Sequence, residues 1–143
     1  MNADVFIDTN ILLYTIDEDP VSASKRQCAQ QLLLSERWGW SVQVAAEFFV
    51  NATSAKRPFK LSAADAAALV ETWLAFPILD LTAALFRAAV DIQQRFQLSY
   101  WDAAILAAAK QMGCRTVYSE DLSARQDYDG VMVMNPFAVS AAQ

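Results

Sequence analysis

The sequence predicts an α/β domain built on a mostly parallel sheet with helices on both sides. Three observations predict it. Short apolar runs such as Val5-Phe6-Ile7 read as strands buried on both faces. These runs alternate with longer segments of helical pattern. Hydroxyl residues stand where those helices should begin, at Ser41, Ser62, Thr82 and Ser99.

Residues 4–8 (DVFID) form the first expected strand and run into an apolar helix start. Residues 17–20 (DEDP) are a loop, and Ser22 is expected to cap a helix through residue 36. Trp38, Gly39 and Trp40 carry the chain to Ser41, which caps a helix over residues 42–56. Arg57-Pro58-Phe59 breaks it. The sequence SAAD, from Ser62, is a capping-box-like start for a helix through residue 75. Residues 76–81 read as a short strand, and Thr82 caps a helix to residue 96. SYWD, from Ser99, is a second capping-box-like start. The helix after it is nearly all apolar, hence buried, and ends at Gly113. Residues 114–118 are a strand, 119–122 its C-terminal loop, and 130–134 the last strand. With no linker or repeat, residues 1–143 read as one domain, long enough for a real core.

Composition narrows the function. A chain that is 55% hydrophobic with 3 Gly and 4 Pro is not a disordered one. No window approaches the roughly 20 uninterrupted apolar residues of a membrane span. The start MNADVFID has no basic n-region, so a cytoplasmic protein without a membrane partner is expected. Cys28 and Cys114 lie far apart in apolar contexts and read as reduced, structural residues. There is no histidine, which excludes Ser-His-Asp and Cys-His catalysis and His-ligated zinc. Hydrolysis must then run on carboxylates, hydroxyls, Lys or metal ions. The net charge of −5 does not mark the whole chain as a nucleic-acid binder, which leaves a local basic patch or metal ions for that role.

Four acids stand against apolar surroundings. Asp8 ends the first strand, and Asp121 follows the strand that ends at Tyr118. Ligands bind at the carboxyl ends of strands in open parallel sheets. Asp102 lies in the first turn of the apolar helix, and Glu47 sits within VAAEFFV. Each has a plain structural reading. Asp8 serves as a helix N-cap, Asp102 complements a helix dipole, and Asp121 is a turn residue. Glu47 has no capping role and would need a narrow exposed face. Read jointly, buried acids repel and take up protons unless a cation joins them. Oxygen ligands without Cys or His point to Mg²⁺ or Mn²⁺.

These residues resemble a PIN domain of the group that includes VapC-type toxins. The resemblance is carried by FIDTNILLY (6–14), SVQVAAEFFVNAT (41–53), LSYWDAAILAAAKQMGC (98–114) and VYSEDLSARQDYDGVMVMNPF (117–137), in the family's order along nearly the whole chain. It implies a PIN-like three-layer α/β fold and a Mg²⁺- or Mn²⁺-dependent nuclease acting on RNA. By that match Asp8, Glu47, Asp102 and Asp121 are the acidic, metal-holding pocket, with Asn10 and Ser119 as polar support. Asp102 would hold the main ion with Asp8, and Glu47 would orient or deprotonate the attacking water. In such families the acid at the position of Asp121 is the most variable member of the set; its neighbour Glu120 would point the other way in an extended segment. Such toxins are typically homodimers, and a cognate antitoxin fills the active-site groove.

Lys56, Arg57 and Lys60 cluster after the helix that carries Glu47. They read either as a solvated helix end or as a contact to the RNA backbone. Asp127 and Asp129 read as turn residues. Trp38, Trp40 and Trp73 are expected to pack helices, and Trp101 to pack or to line the pocket. Two other enzyme readings fit poorly. An aspartyl phosphatase usually carries a second Asp two residues after the first, where this chain has Asn10. A receiver domain needs a Lys after a late strand, which Tyr118 lacks. A metal-free PIN-fold binding module and a free-standing RNA-processing nuclease remain as alternatives to a toxin.

Overall fold

The computed structural model describes residues 3–122 and 126–141. Residues 123–125 of the fourth quoted segment lie outside the described residues. The elements run β1 (Val5–Ile7), α1 (Thr9–Thr15), α2 (Ala23–Ser35), β2 (Trp38–Ser41), α3 (Val42–Ala52), α4 (Ala63–Trp73), β3 (Ile78–Leu79), α5 (Ala83–Phe96), α6 (Tyr100–Gln111), β4 (Thr116–Tyr118), β5 (Asp127–Tyr128), β6 (Val131–Met134) and α7 (Pro136–Ala141).

The six strands form one sheet in the order β3-β2-β1-β4-β6-β5. All neighbours are parallel except β5 and β6, which are antiparallel. This is the mostly parallel α/β sheet flanked by helices that the sequence predicts. Strand order reverses at β1: β2 and β3 build out on one side, β4 and β6 on the other. The gap beyond the carboxyl ends of β1 and β4 is therefore the topological switch point, where side chains meet without a crossing loop.

Val5, Phe6 and Ile7 are buried, as a central parallel strand requires. The hydroxyl caps form as expected. Ser41, Ser62, Thr82 and Ser99 accept from the backbone N–H groups of Val44, Asp65, Leu85 and Asp102. Helix α6 is buried from Ala103 through Ala109 and lies between α5 and the sheet. Its small side chains let neighbours approach on every side. Both cysteines are free, and Cys114 is buried. No helix among the described residues is long and apolar enough to cross a membrane.

Several elements differ from expectation. Ser22 makes no capping bond; it closes a short 3-10 turn over Pro20–Ser22, which Asp19 caps by accepting from Val21 N–H. Helix α3 stops at Ala52 rather than 56, so Lys56 lies in a loop. Thr53 ends it, its hydroxyl turned back onto Phe49 C=O, and the backbone N–H of Leu61 takes Ala52 C=O. Trp38–Ser41 is a buried strand, although Trp-Gly-Trp lacks an aliphatic run. Asp127 lies in β5; its carboxylate accepts from Gly130 N–H. Asp129 and Gly130, both with positive φ, make the two-residue turn to β6. Asp129 also pairs with Arg95 and Lys110, which hold its carboxyl down at about 2.

Trp38 and Trp40 pack edge-on to each other and to Trp73. Between them sits Gly39, where a Cβ would lie 2.7 Å from Met112 Cε, 2.9 Å from Ala3 Cβ and 3.3 Å from Pro77 O. The missing side chain is what lets three segments close over β2. We expect Gly39→Ala to cost about 1–3 kcal/mol through overpacking. Urea denaturation checks it; an unchanged midpoint would mean that these neighbours give way freely.

Candidate active site

The parallel register places Ile7 opposite Tyr118, so Asp8 and Ser119 leave β1 and β4 side by side. The backbone N–H of Asp8 still reaches Tyr118 C=O at 3.1 Å. Asp8 is 8% exposed. Its Oδ1 accepts from Thr9 N–H at 2.7 Å, which starts α1. Its Oδ2 accepts from the Ser119 hydroxyl at 2.8 Å. That hydroxyl has one proton and gives it to Asp8, so its lone pairs are left for the backbone N–H groups of Asp121 at 3.1 Å and Leu122 at 3.3 Å.

Asn10 closes the group. Its Oδ1 accepts from Glu120 N–H at 3.0 Å, which fixes the amide orientation. Its Nδ2 then donates to Asp121 Oδ2 at 3.0 Å and lies 3.4 Å from Asp8 Oδ2. Asp8 and Asp121 are thus joined through one amide. Burial pushes the Asp8 carboxyl up to about 6, against the Ser119 and Thr9 hydrogen bonds; the charges of Asp121 and Glu47 push the same way. The buried Thr9 hydroxyl has no partner among the described residues.

The other two acids come from α3 and α6. Glu47 is half-buried on α3, and its Oε1 accepts from Gln43 Nε2 at 3.0 Å. Asp102 is half-buried in the first turn of α6. Its backbone N–H is capped by Ser99, but among the described residues its carboxylate accepts no hydrogen bond. The capping box is therefore half-made, and the carboxylate is not consumed by it. Glu120 turns away from Asp8 and pairs with Lys25 and the Tyr14 hydroxyl.

The structure brings Asp8, Asn10, Ser119 and Asp121 into one hydrogen-bonded group, with Glu47 near enough for its charge to act on Asp8. It does not bring Asp102 into that group. Of the basic residues, Arg57 comes to the site's edge. It donates to Leu13 C=O at 3.2 Å and lines a cleft of about 210 Å³ with Asn10, Tyr14 and Asp17. Lys56 and Lys60 are exposed on the loop. Trp101, beside Asp102, is 64% exposed, whereas Trp38, Trp40 and Trp73 are buried. Sequence reasoning passed over Gln43, a buried amide one helical turn before Glu47; that i, i+4 spacing was the available signal.

Do these residues fit a divalent cation? The donors are all oxygen, which suits a hard ion. Asp8 carries the electrostatic burden that a cation would relieve. Among the described residues, however, no three acids already converge as a metal-holding group. The residues fit the ion by chemistry and charge, without a preassembled cage.

A model of the PIN domain family matches residues 5–126, and the chain belongs to that family, a nuclease family whose members generally use divalent metals. No curated protein matches it in sequence. Among solved structures it is similar to VapC20 of Mycobacterium tuberculosis, described as a sarcin-ricin loop cleaving toxin. That match has a TM-score of 0.66 and 21% identity over 82% of this chain and 89% of that one. It is also similar to a chain of a toxin-antitoxin complex from Klebsiella pneumoniae, with a TM-score of 0.65 and 22% identity over 92% and 97%. DNA-bound VapBC of Salmonella typhimurium gives a TM-score of 0.66 and 17% identity over 94% and 99%. At these identities the likeness is one of fold.

The shift at Asp8 has a sign that can be measured. Its folded pKa, about 6, lies above the ordinary 3.8, so between these values the folded state binds more protons than the unfolded one. Stability from this group is lost as pH rises through that window, by about 3 kcal/mol in full. In metal-free protein, Asp8→Asn should therefore raise stability by about 1–3 kcal/mol at pH 7.5 and by almost nothing at pH 4. Urea melts at the two pH values decide it; a variant less stable at pH 7.5 would contradict the burial argument.

Proposed function

We propose that residues 1–143 act as one Mg²⁺- or Mn²⁺-dependent endoribonuclease domain, the toxin of a toxin-antitoxin pair. The observation that carries this is Asp8: a carboxylate buried at the switch point of a PIN fold, tied to Asp121 through Asn10 and charged against Glu47. Asp8 and Asp102 would hold the ion, with Asp121 and Glu47 completing its oxygen ligands. The bound ion would supply charge stabilisation at the scissile phosphate and lower the pKa of an attacking water. Glu47 would orient that water and take its proton. Ser119 and Asn10 keep Asp8 and Asp121 turned toward each other. Arg57, at the edge of the cleft beside Asn10, would contact the RNA backbone, with Lys56 and Lys60 further along the same loop.

The partners follow from the same reading. The antitoxin partner is supported by the similarity to a chain of the toxin-antitoxin complex from Klebsiella pneumoniae. A homodimer would place two such basic loops on one RNA. A second reading, a PIN fold kept for binding alone, is favoured by one observation: no three acids among the described residues converge.

Wild type and Asp8→Asn should be compared on total RNA containing tRNA and rRNA, with Mn²⁺, with Mg²⁺ and with chelator. Discrete metal-dependent cuts by wild type alone are expected, with activity lost by 100-fold or more in the variant, roughly the scale of losing a principal charge-stabilising group. No cutting by either protein, with no Mn²⁺ binding, would leave the binding module in front. If the chain is a toxin, its expression should arrest growth and Asp8→Asn should relieve the arrest; a free-standing processing nuclease would not arrest it.

A further inference from the structure

We infer that Gln43 is a positioning residue that couples the two helices bearing Glu47 and Asp102, and so sets the ion-binding geometry of the site. The inference rests on the reading of that site as metal-dependent.

Gln43 is a polar side chain buried to 8% exposure in the first turn of α3. Burying an amide is costly unless its groups are paired. Its Nε2 donates to Glu47 Oε1 at 3.0 Å, one turn along the same helix. The same nitrogen lies 3.4 Å from the backbone carbonyl of Trp101, at the start of α6 and one residue before Asp102. Both partners are acceptors, so the amide can be placed only one way round, with its two N–H groups toward them. A carboxylate, hydroxyl or apolar group at this position could not serve both.

The two contacts act on different parts of the site. The first turns the Glu47 carboxylate and takes one of its oxygens. The second is a strut from α3 to the first turn of α6. Together they hold Glu47 and the backbone beside Asp102 in a fixed relation, although among the described residues neither acid is hydrogen-bonded to Asp8. Hydrogen-bonding partners behind ligating carboxylates typically alter metal affinity or activity by about 10–100-fold. The β1/β4 half of the site has its own supports in Ser119 and Asn10; Gln43 is the corresponding support for the helical half.

The test is a double-mutant cycle of Gln43→Met and Glu47→Gln, read by calorimetric titration of Mn²⁺ alone and by kcat and KM on a short RNA spanning a mapped cut. Gln43→Met keeps the length and apolar stem; Gln43→Glu, which keeps the shape but replaces the donor with an acceptor, is run beside it. Thermal midpoints identify any variant that fails to fold. We expect Mn²⁺ affinity and kcat to fall roughly 10-fold in the Gln43 variants. KM for RNA should be unchanged, and the loss should be smaller when Glu47→Gln is already present, the remainder coming through the strut to α6. Unaltered Mn²⁺ affinity in the folded Gln43 variants, or losses that simply add to those of Glu47→Gln, would overturn the inference, as would a wild type that binds no Mn²⁺. A wild type that binds Mn²⁺ with the expected coupling but cuts no RNA would overturn the nuclease reading and leave the role of Gln43 standing.

Discussion

Placing an ionised carboxylate in the interior without a counter-charge is among the least favourable things a fold can do. Asp8 comes close to that. It follows a fully buried central strand, and the side chains that reach it are hydroxyl and amide groups rather than cations. Much of the local structure follows from it. Helix α1 starts on its Oδ1, and Ser119 commits its only proton to Oδ2. The loop after β4 then folds over the Ser119 lone pairs, and Asn10 fastens that loop back to α1 through Glu120 N–H. Two hydrogen bonds offset part of the burial cost, and the carboxyl still sits near 6.

Fold topology explains why this strain is local. At a switch point the chain leaves adjacent parallel strands in opposite directions, so the space above their ends stays open to side chains. The same geometry makes the site two-sided. One side is built from strand ends and is tightly hydrogen-bonded. The other would be built from helices α3 and α6, whose Glu47 and Asp102 lie outside that hydrogen-bonded group. The first side is organised by the sheet's own register, since Ile7 faces Tyr118 and the next residues are Asp8 and Ser119. The second depends on helix packing. The helical side is tied by Gln43, which joins Glu47 to the Trp101 carbonyl at the start of α6.

That division also governs what was legible in the sequence. Elements marked by local chemistry were readable: the Val5-Phe6-Ile7 strand, the hydroxyl caps at Ser41, Ser62, Thr82 and Ser99, and the Asp129-Gly130 turn. Elements decided by tertiary contact were not. Trp38–Ser41 becomes a strand because β1 and β3 flank it, and Gly39 is needed only because Ala3 and Met112 converge there. Ser22 has a capping residue's chemistry but loses the role to Asp19 once Pro20 tightens the turn. Helix α7 starts at Pro136, beyond the last strand read from the sequence; Asn135 caps it by accepting from the Phe137 and Ala138 N–H groups. Candidate acids could be picked out one by one from their apolar flanks. Which of them the fold joins could not, because Asn10 reaches Asp121 across more than a hundred residues.

Cation pairing separates the acids more sharply than sequence context does. Glu120 stands next to Asp121, yet Lys25 and Tyr14 hold it on the far side of the chain. Asp129, a turn residue as its sequence context suggests, is paired with Arg95 and Lys110. Such pairs anchor α2 to the β4 loop, and α5 and α6 to the β5–β6 turn. Asp8, Glu47, Asp102 and Asp121 have no cationic partner among the described residues. A freely exposed acid needs none, because water screens it. Asp8 is not exposed, and Glu47 and Asp102 are only half so. For Asp8 that burial carries a cost, which raises its carboxyl to about 6. A cation from outside the chain would relieve that cost, in keeping with a nuclease family whose members generally use divalent metals.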